Sequence, residues 1–393
     1  METISYVMVT PYTIAKSRTG GVMARLLSRV DLDLIGAQMI APDEDFVKEY
    51  AAILRQQRET GSATLLADYT EQHLAPSGGM KRQTLLLLFK GENSCEKLTA
   101  LCGHIHGEHV GIDSFSGETI RDTYADLITD PADPEKVTYF EPAVMTPPDQ
   151  KWADKDLELF ARFLKGKGNI VKNIQYPDPS KIEQTLVILK PDNWKYASSK
   201  PGTIIDMFSR TGLRIVGIKV HQFSLAQTLE FYGPVESALQ GKLAPLFGKK
   251  ARELLEKEFT VPLSKATEKA LSDHFGMEYA TDQFAQIIEF MSGMRPDRVP
   301  PEERHKPGTV KCMILIYEGE QAINKIRDVL GPTDPLKAPG GTVRREFGSN
   351  VMVNTAHASD SPQSAEREMG IVKTNENSLG TIIDDYLGKR VAG

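Results

Sequence analysis

The chain repeats one pattern of apolar and polar segments, and a repeat of this length constrains the fold more than any single motif does. In the first half, apolar runs at 6–9 and 32–40 enclose a segment whose apolar residues have helical spacing. In the second half, apolar runs at 185–189 and 213–220 enclose another such segment. Short apolar runs of this kind are typical of buried strands. The repeat therefore predicts two domains of the same fold, arranged in tandem.

The correspondence between the halves continues farther along the chain. The segment LLLLFKGEN at 85–93 corresponds to MILIYEGEQ at 313–321. Each predicts an apolar strand, then Gly-Glu, then a helix that ends at a glycine, Gly103 or Gly331. Each half then has a further strand and a closing helix. This order predicts an α+β fold of the ferredoxin-like β-α-β-β-α-β type, in which helices cover one face of an antiparallel sheet.

A polar stretch that contains Pro-Asp-Pro separates the two halves and is typical of a linker. We therefore predict a first domain at 1–165, a linker at 166–182 and a second domain at 183–393. The second half also contains an extra segment at about 233–280, whose pattern is mostly helical. The segment 75–82, APSGGMKR, is predicted to be a loop.

Composition and charge exclude several classes of protein. With 40% hydrophobic and 25% charged residues, the 393-residue chain has the composition of a globular protein. Its net charge of −6 gives no support to nucleic-acid binding. No apolar run approaches the roughly 18 residues of a membrane span, and the N-terminus lacks the pattern of a signal peptide. We therefore expect a cytoplasmic protein without membrane contact.

Neither the cysteines nor the histidines of the first half predict a metal centre. The three cysteines, Cys95, Cys102 and Cys312, form no Cys-x-x-Cys pair, which argues against a zinc site and against a disulfide framework. A histidine cluster in the first half lacks an acidic or cysteine partner at a standard spacing, and we interpret it as a loop: His104, His106 and His109. No metal ligands are predicted.

The segment NTAHASDS at 354–361 is the most specific feature of the sequence. It follows a strand-like run at 350–353, and Ser361 and Pro362 have the pattern of a helix N-cap followed by proline in the first turn. We therefore expect His357 at a strand-to-helix turn, close to the positive end of a helix that favours an anionic phosphate. A neutral imidazole has a free lone pair near pH 7 and can accept a phosphoryl group.

This segment matches the active-site signature of nucleoside diphosphate kinases, and the second half resembles that family apart from its insertion. The resemblance implies that the γ-phosphate of a nucleoside triphosphate passes to His357 and then to a nucleoside diphosphate, in a ping-pong reaction. Glu368, in the following helix, lies where the orienting glutamate of the family falls. Magnesium would come with the nucleotide phosphates, which fits the absence of a Walker-type motif from the sequence.

The resemblance also assigns residues that bind the nucleotide. Lys190 would contact the transferring phosphate and the sugar 3′-hydroxyl. Three residues resemble the clamp on the β- and γ-phosphates: Arg327, Thr333 and Arg344. Asn354 would bind the ribose hydroxyl. Positive charge of this kind stabilises phosphoryl transfer.

Three further positions concern the nucleotide base and the surroundings of the histidine. Val351 would pack on one face of the base, and the family binds bases mainly by stacking, which implies broad tolerance. Tyr232, at the predicted end of the middle helix, is either the family's tyrosine near the histidine or a core residue. Phe284, within 281–291, is the candidate for the stacking phenylalanine, with a core position as the alternative. Thr333 is either part of the phosphate clamp or a simple turn residue.

The first half lacks most of this chemistry. Alignment of the closing helices places Met145 at the position of His357. The other repeated segments give three further pairs: Thr10 for Lys190, a position near Thr99 for Arg327, and Arg121 for Arg344. Only the last pair keeps its side chain. Because the apolar pattern persists without a phosphate acceptor, we expect the first half to fold but not to catalyse.

Two other functions remain open at this level. The chain is either an active kinase or a catalytically impaired nucleotide-binding or scaffold protein, whose insertion covers the site. A third alternative is transfer of phosphate from His357 to a protein partner. Nucleoside di- and triphosphates are the expected ligands. Known family members assemble as dimers and larger rings, which implies either a homo-oligomer or an intramolecular pair of domains.

Overall fold

The computed structural model describes residues 2–57, 61–105, 117–376 and 378–391. His106 and His109 of the histidine cluster lie outside these residues. Within the described part of the chain, no helix is both long and apolar enough to cross a membrane. The chain divides into two compact units: a larger one of Met1–Val220, Met313–Glu366 and Lys373–Gly393, and a smaller one of His221–Cys312 and Arg367–Val372.

The first half of the chain forms a four-stranded sheet with helices. In chain order its elements are β1 Glu2–Val9, α1 Pro11–Ala15, α2 Thr19–Arg29, β2 Asp33–Ile40, α3 Glu44–Gln57, α4 Gly61–Tyr69, β3 Thr84–Glu92, α5 Ser94–Cys102, α6 Ile120–Tyr124, β4 Asp126–Asp130, β5 Asp133–Glu141, β6 Val144–Met145 and α7 Gln150–Leu164. The sheet has the order β2-β3-β1-β6, and β1 pairs antiparallel with both β3 and β6. Strands β4 and β5 form a separate hairpin that the sequence analysis did not predict.

The second half repeats this arrangement. Its elements are β7 Ile182–Leu189, α8 Lys200–Ser209, β8 Arg214–His221, α9 Leu225–Phe259, α10 Lys265–Leu271, α11 Met277–Ser292, β9 Cys312–Glu320, α12 Ala322–Leu330, α13 Val343–Phe347, β10 Ala356–Ala358, α14 Pro362–Ile371 and α15 Leu379–Val391. Its sheet has the order β10-β7-β9-β8. In both sheets the first strand therefore lies between the third and fourth strands, which is the ferredoxin-like order. The predicted fold class is confirmed.

The two halves share strand register as well as strand order. In the first sheet Val9 pairs with Leu85, and in the second Leu189 pairs with Met313. The helices after these strands both start at a left-handed residue, Asn93 with φ 53° or Gln321 with φ 55°. The two halves therefore share their backbone geometry, including left-handed conformations that residues other than glycine adopt rarely.

Two local predictions were wrong. The run 350–353 is not a strand, because Asn350 Oδ1 accepts the backbone N–H groups of Met352 at 2.9 Å and Val353 at 2.8 Å. An asparagine that binds nearby N–H groups in this way closes a turn in place of a sheet ladder. The strand is β10, and His357 lies within it, not at a strand-to-helix turn.

The insertion is helical as predicted, but it does not begin after a helix end. Helix α9 starts at a capping box formed by Ser224 and Gln227 and continues to Phe259. It passes through Pro234 and Pro245, which sequence rules associate with helix ends. Tyr232 therefore lies inside a long helix and not at its end.

Alternating residues of the first sheet pack into two apolar clusters, as the period of a strand requires. Val7 and Val9 belong to a cluster that also contains Val187 and Leu189 of the second half. Tyr6 and Met8 belong to a cluster on the other face, together with residues of α15 at the end of the chain. Both halves of the chain thus contribute to each cluster of the larger unit.

Helices α2 and α8 approach closely at two glycines. A Cβ atom at Gly20 would lie 2.6 Å from the Cα of Asp206, and one at Gly202 would lie 2.5 Å from the Cα of Ala24. Since real Cβ atoms do not come so close to backbone atoms, this spacing requires glycine on both helices. The two halves are therefore joined by a backbone-to-backbone contact.

We predict that Gly20→Ala destabilises the larger unit, because overpacking a tight contact costs about 1–3 kcal/mol. Both tryptophans, Trp152 and Trp194, lie in that unit, so fluorescence during urea unfolding reports on it. The control is Gly241→Ala, at a helical glycine with open space around it, where alanine favours the helix. Equal unfolding midpoints for Gly20→Ala and wild type would contradict the packing argument.

A carboxyl group is fully buried in the core of the first half. Asp156 Oδ2 accepts hydrogen bonds from Tyr6 Oη at 2.9 Å and Gln57 Nε2 at 2.8 Å. Burial raises the pKa of Asp156 to about 7, although both hydrogen bonds favour the charged form. Because the folded pKa exceeds the ordinary value, the folded state binds more protons than the unfolded state, and its stability falls as pH rises from about 4 towards 7.

Asp156→Asn should remove this pH dependence. We expect the variant to be at least as stable as wild type at pH 8, and wild type to gain about 1 kcal/mol or more relative to the variant at pH 5. The measurement is urea unfolding across that pH range. Glu158→Gln, an exposed position on the same helix, is the control and should keep the wild-type slope. An unchanged slope in Asp156→Asn would refute the assignment.

Candidate active site

The site is built around the short strand β10. His357 is half-buried, between the buried Ala356 and Ala358, and it pairs with Ile188 of β7. Thr355, the residue before β10, has a left-handed φ of 77°. Its carbonyl oxygen accepts the backbone N–H of Lys190 at 3.0 Å and Asn193 Nδ2 at 2.7 Å. The strand of the histidine is therefore fixed to β7 and to Lys190, the residue that follows β7.

Sequence reasoning missed Asn193. Its buried amide also donates to the carbonyl of Lys190 at 2.9 Å, so it links the turn after β7 to the turn before β10. The available signal was an asparagine two residues after a proline in LKPDNW, a pattern typical of turns.

Lys190 has a buried amine beside the histidine strand. Its side chain is only 9% exposed, and Nζ donates to Asn354 Oδ1 at 2.6 Å. Burial, together with the positive charge of Arg344, lowers the pKa of Lys190 to about 7, and Asp192 opposes this effect. An amine in this state gains most from a ligand that brings negative charge.

Asn354 connects three segments of the site. While its Oδ1 accepts from Lys190, its Nδ2 donates to the carbonyl oxygens of Thr333 at 3.0 Å and Val351 at 2.8 Å. The structure therefore brings together four predicted residues. The side chains of Thr333 and Val351 are exposed, so both remain accessible.

Arg344 holds the backbone of the site. Its guanidinium donates to the carbonyls of Gly331 and Ala356, each at 3.0 Å. Arg121 makes the same pair of contacts in the first half, with the carbonyl of Gly103 and with that of Val144 at 3.0 Å. This shared geometry gives the arginine a structural role, and it explains why this position keeps its side chain in both halves.

Arg327 lies on the exposed surface of α12. A hydrogen bond from Ser364 lowers the pKa of Asp360, and the positive charge of Arg327 adds to that effect. Ser361 Oγ accepts the backbone N–H of Ser364 at 3.1 Å, which confirms the predicted N-cap of α14. An exposed cation and a capped helix start thus belong to the same part of the larger unit as β10.

The remaining predicted residues belong to the smaller unit. Glu368 is buried, and its carboxylate lies 3.6 Å from Arg367, whose guanidinium also donates to the carbonyl of Phe231 at 3.3 Å. Tyr232 and Phe284 are buried as well. Their roles at the nucleotide stay predictions.

The first half replaces the basic site with a buried acid. Register places Met145 opposite Met8, as His357 is placed opposite Ile188, so the predicted alignment is confirmed. At the position of Lys190, Thr10 Oγ1 donates to Glu141 Oε1 at 2.7 Å. Burial raises the pKa of Glu141.

This carboxyl group has further hydrogen-bond partners. Tyr69 Oη donates to Glu141 Oε2 at 2.7 Å, and the backbone N–H of Ala143 donates to Oε1 at 3.0 Å. The threonine at the Lys190 position is therefore bound to an acid, whereas Lys190 itself is bound to the amide of Asn354. Neither side chain supplies a cation for a transferring phosphate, which agrees with the expectation of a first domain that does not catalyse.

Comparison with known proteins matches the second half to one family. The family model described as nucleoside diphosphate kinase matches residues 235–377. The nucleoside diphosphate kinase of Bdellovibrio bacteriovorus is 30% identical over 190 residues, which cover 48% of this chain and 92% of the relative. That of Paracoccus denitrificans is 31% identical over 188 residues, which cover 48% and 91% respectively.

Among solved structures, an NDP kinase from Pyrobaculum aerophilum is 26% identical and covers 48% of this chain and 94% of its own, with a TM-score of 0.34. The Aquifex aeolicus nucleoside diphosphate kinase is 25% identical, covers 51% and 98%, and has a TM-score of 0.30. Since the sequence relatives are matched over nine-tenths of their length, this chain belongs to the nucleoside diphosphate kinase family.

Proposed function

We propose that the second half transfers the γ-phosphate of a nucleoside triphosphate to a nucleoside diphosphate through a phosphohistidine at His357. The observation that carries the proposal is the buried amine of Lys190, held by Asn354 beside the strand of His357. A desolvated cation at a fixed position is the feature that phosphoryl transfer requires. The relatives that carry the kinase name support the same reaction.

In the first step a ring nitrogen of His357 attacks the γ-phosphorus. A nitrogen–phosphorus bond forms, the bond from phosphorus to the bridging oxygen breaks, and the nucleoside diphosphate leaves with the electron pair. A second nucleoside diphosphate then enters, and its terminal oxygen takes the phosphoryl group from the ring. Lys190 and Arg327 stabilise the negative charge on the phosphate oxygens, and Arg344 holds the strand in place.

The other residues have the roles that the resemblance implies. Glu368 orients the histidine ring, Asn354 binds the ribose, and Thr333 contributes to the phosphate clamp. The substrate is the magnesium complex of the nucleotide, in which the ion neutralises phosphate charge. In the described part of the chain no group of three His, Cys, Asp or Glu side chains is placed to hold a metal, and the donor set of the site, an amine and amides, suits phosphate oxygens.

We further propose that the first half, which has Thr10 bound to Glu141 at the position of Lys190, is a structural partner. The contact of α2 with α8 supports an intramolecular pair of domains, with 166–182 as the linker. In that arrangement one chain supplies both members of a pair that otherwise forms between two chains. A fully active monomer of residues 180–393 would contradict this part.

The proposed route predicts a labelled protein intermediate. Incubation with γ-labelled ATP should give acid-labile label on the protein, and a chase with unlabelled GDP should move that label to GTP. His357→Ala should show neither step. Asn193→Ala, which removes a positioning contact, should slow labelling without abolishing it.

Two results would redirect the proposal. Label that forms but does not move to GDP would favour a protein acceptor or an impaired enzyme. Label that persists in His357→Ala would place the phosphate on another residue and refute the assignment.

The lowered pKa of Lys190 predicts a pH dependence. Because the amine of the free protein loses its proton near pH 7, we expect kcat/KM to fall above that pH. Because bound phosphate favours the charged amine, kcat should stay constant up to a higher pH than kcat/KM does. Lys190→Ala should lower kcat/KM by on the order of 100-fold and lack this alkaline limb.

The control for this experiment is Lys195→Ala, an exposed lysine five residues away. It should keep both the rate and the pH profile of wild type. An alkaline limb that persists unchanged in Lys190→Ala would show that another group titrates.

A further inference from the structure

The larger unit contains a cavity of about 830 Å³ whose wall comes from both halves of the chain. Tyr12, Tyr69 and Gln83 belong to the first half, and Arg214 and Tyr317 to the second. This volume is within the range of small-molecule pockets. Among the described residues of the wall are none of those proposed to act on phosphate, namely Lys190, Arg327 and His357. The cavity is therefore separate from the proposed active site.

Three polar atoms of the wall lack a hydrogen-bond partner among the described residues: Tyr317 Oη, Gln83 Oε1 and Asn173 Oδ1. The tyrosine is only 1% exposed. Since most buried polar groups in proteins are satisfied, three such atoms in one wall require an explanation.

The direction of the two amides is fixed. Gln83 Nε2 donates to the carbonyl of Ile215 at 3.1 Å, and Asn173 Nδ2 donates to the carbonyl of Lys81 at 2.7 Å. The oxygens left over are acceptors, so a ligand must bring N–H or O–H donors to them. Burial also raises the pKa of Tyr317, which keeps its hydroxyl neutral.

The wall carries excess positive charge. Lys81, Arg82 and Arg214 line it, and none of the three has a carboxylate within 4 Å in the described part of the chain. The carboxyl group of the wall, Glu141, already accepts the hydrogen bonds described above. Burial lowers the pKa of His73, which leaves that ring neutral at pH 7. An anionic group is therefore favoured here.

We propose that this cavity is a second ligand site, which binds a small anion that carries N–H donors on a flat ring, the chemistry of a purine nucleotide. The donors would satisfy Gln83 and Asn173, and the anionic group would face Arg82 and Arg214. Aromatic surface from Tyr12 and the other wall tyrosines suits a flat ring. Because wall residues also come from α2 and α8, a bound ligand stabilises the junction of the two halves.

GMP is the probe for this site, because it is neither a phosphoryl donor nor an acceptor in the proposed reaction. Calorimetric titration is carried out on the full wild-type chain, on Lys190→Ala and on two cavity variants. The first cavity variant combines Arg82→Ala and Arg214→Ala, and the second is Tyr317→Phe. Arg298→Ala, an exposed arginine outside the wall, is the matched control. Guanosine and inorganic phosphate are titrated separately.

We expect GMP to bind one site per chain that survives in Lys190→Ala and Arg298→Ala. The cavity variants should weaken binding by about tenfold or more, and guanosine or phosphate alone should bind at least about tenfold more weakly than GMP. GMP should also raise the unfolding midpoint of wild type but not of the arginine variant.

Three results would overturn the proposal. They are the lack of binding to Lys190→Ala at about 1 mM GMP, binding that is insensitive to the cavity variants, and phosphate binding as tight as that of GMP. Tyr317→Phe removes an atom without a partner, so it should fold as wild type does, and it tests the site even where the arginine pair is destabilising. Failure of GMP binding would leave the phosphohistidine proposal unaffected, because that proposal is tested by label transfer.

Discussion

The site of the second half depends on one buried hydrogen bond, from Lys190 Nζ to Asn354 Oδ1 at 2.6 Å. Burying an amine is costly, and an amide oxygen compensates for only part of that cost. Among the described ion pairs Lys190 has no carboxylate within 4 Å. The buried amine is therefore held in place, and the negative charge of an incoming phosphate would stabilise its charged form. The backbone contacts of Asn193 and Arg344 keep the amine aligned with the strand of the histidine.

The first half shows what the fold requires without this chemistry. Strand order, register and the left-handed residues before α5 and α12 are the same in both halves. The arginine of each half, Arg121 or Arg344, also donates to the same two backbone carbonyls of its half. The side chains that differ are those that would touch a phosphate. Backbone support and phosphate chemistry are thus separate requirements, and only the first is needed for the two halves to pack together.

Much of this was predictable from the sequence. Short apolar runs and glycine-ended helices indicated the fold class, and the alignment of the closing helices located Met145 at the position of His357 before any register was known. Local errors occurred where side chains override the pattern. Asn350 closes a turn within an apolar run, and α9 continues through two prolines. The acid of the first half, Glu141, and the hairpin β4–β5 had no counterpart in the repeat to reveal them.

In the free protein the amine of Lys190 is expected to be only partly protonated at pH 7, and a bound phosphate is expected to favour its protonated form. NMR titration of the full chain, with labelled lysine side chains and Lys190→Arg for assignment, measures its pKa directly. We expect a pKa of about 7 in the free protein, well below that of an ordinary lysine, and an increase when ADP with magnesium is added. An ordinary lysine pKa in the free protein, unchanged by ADP, would contradict it.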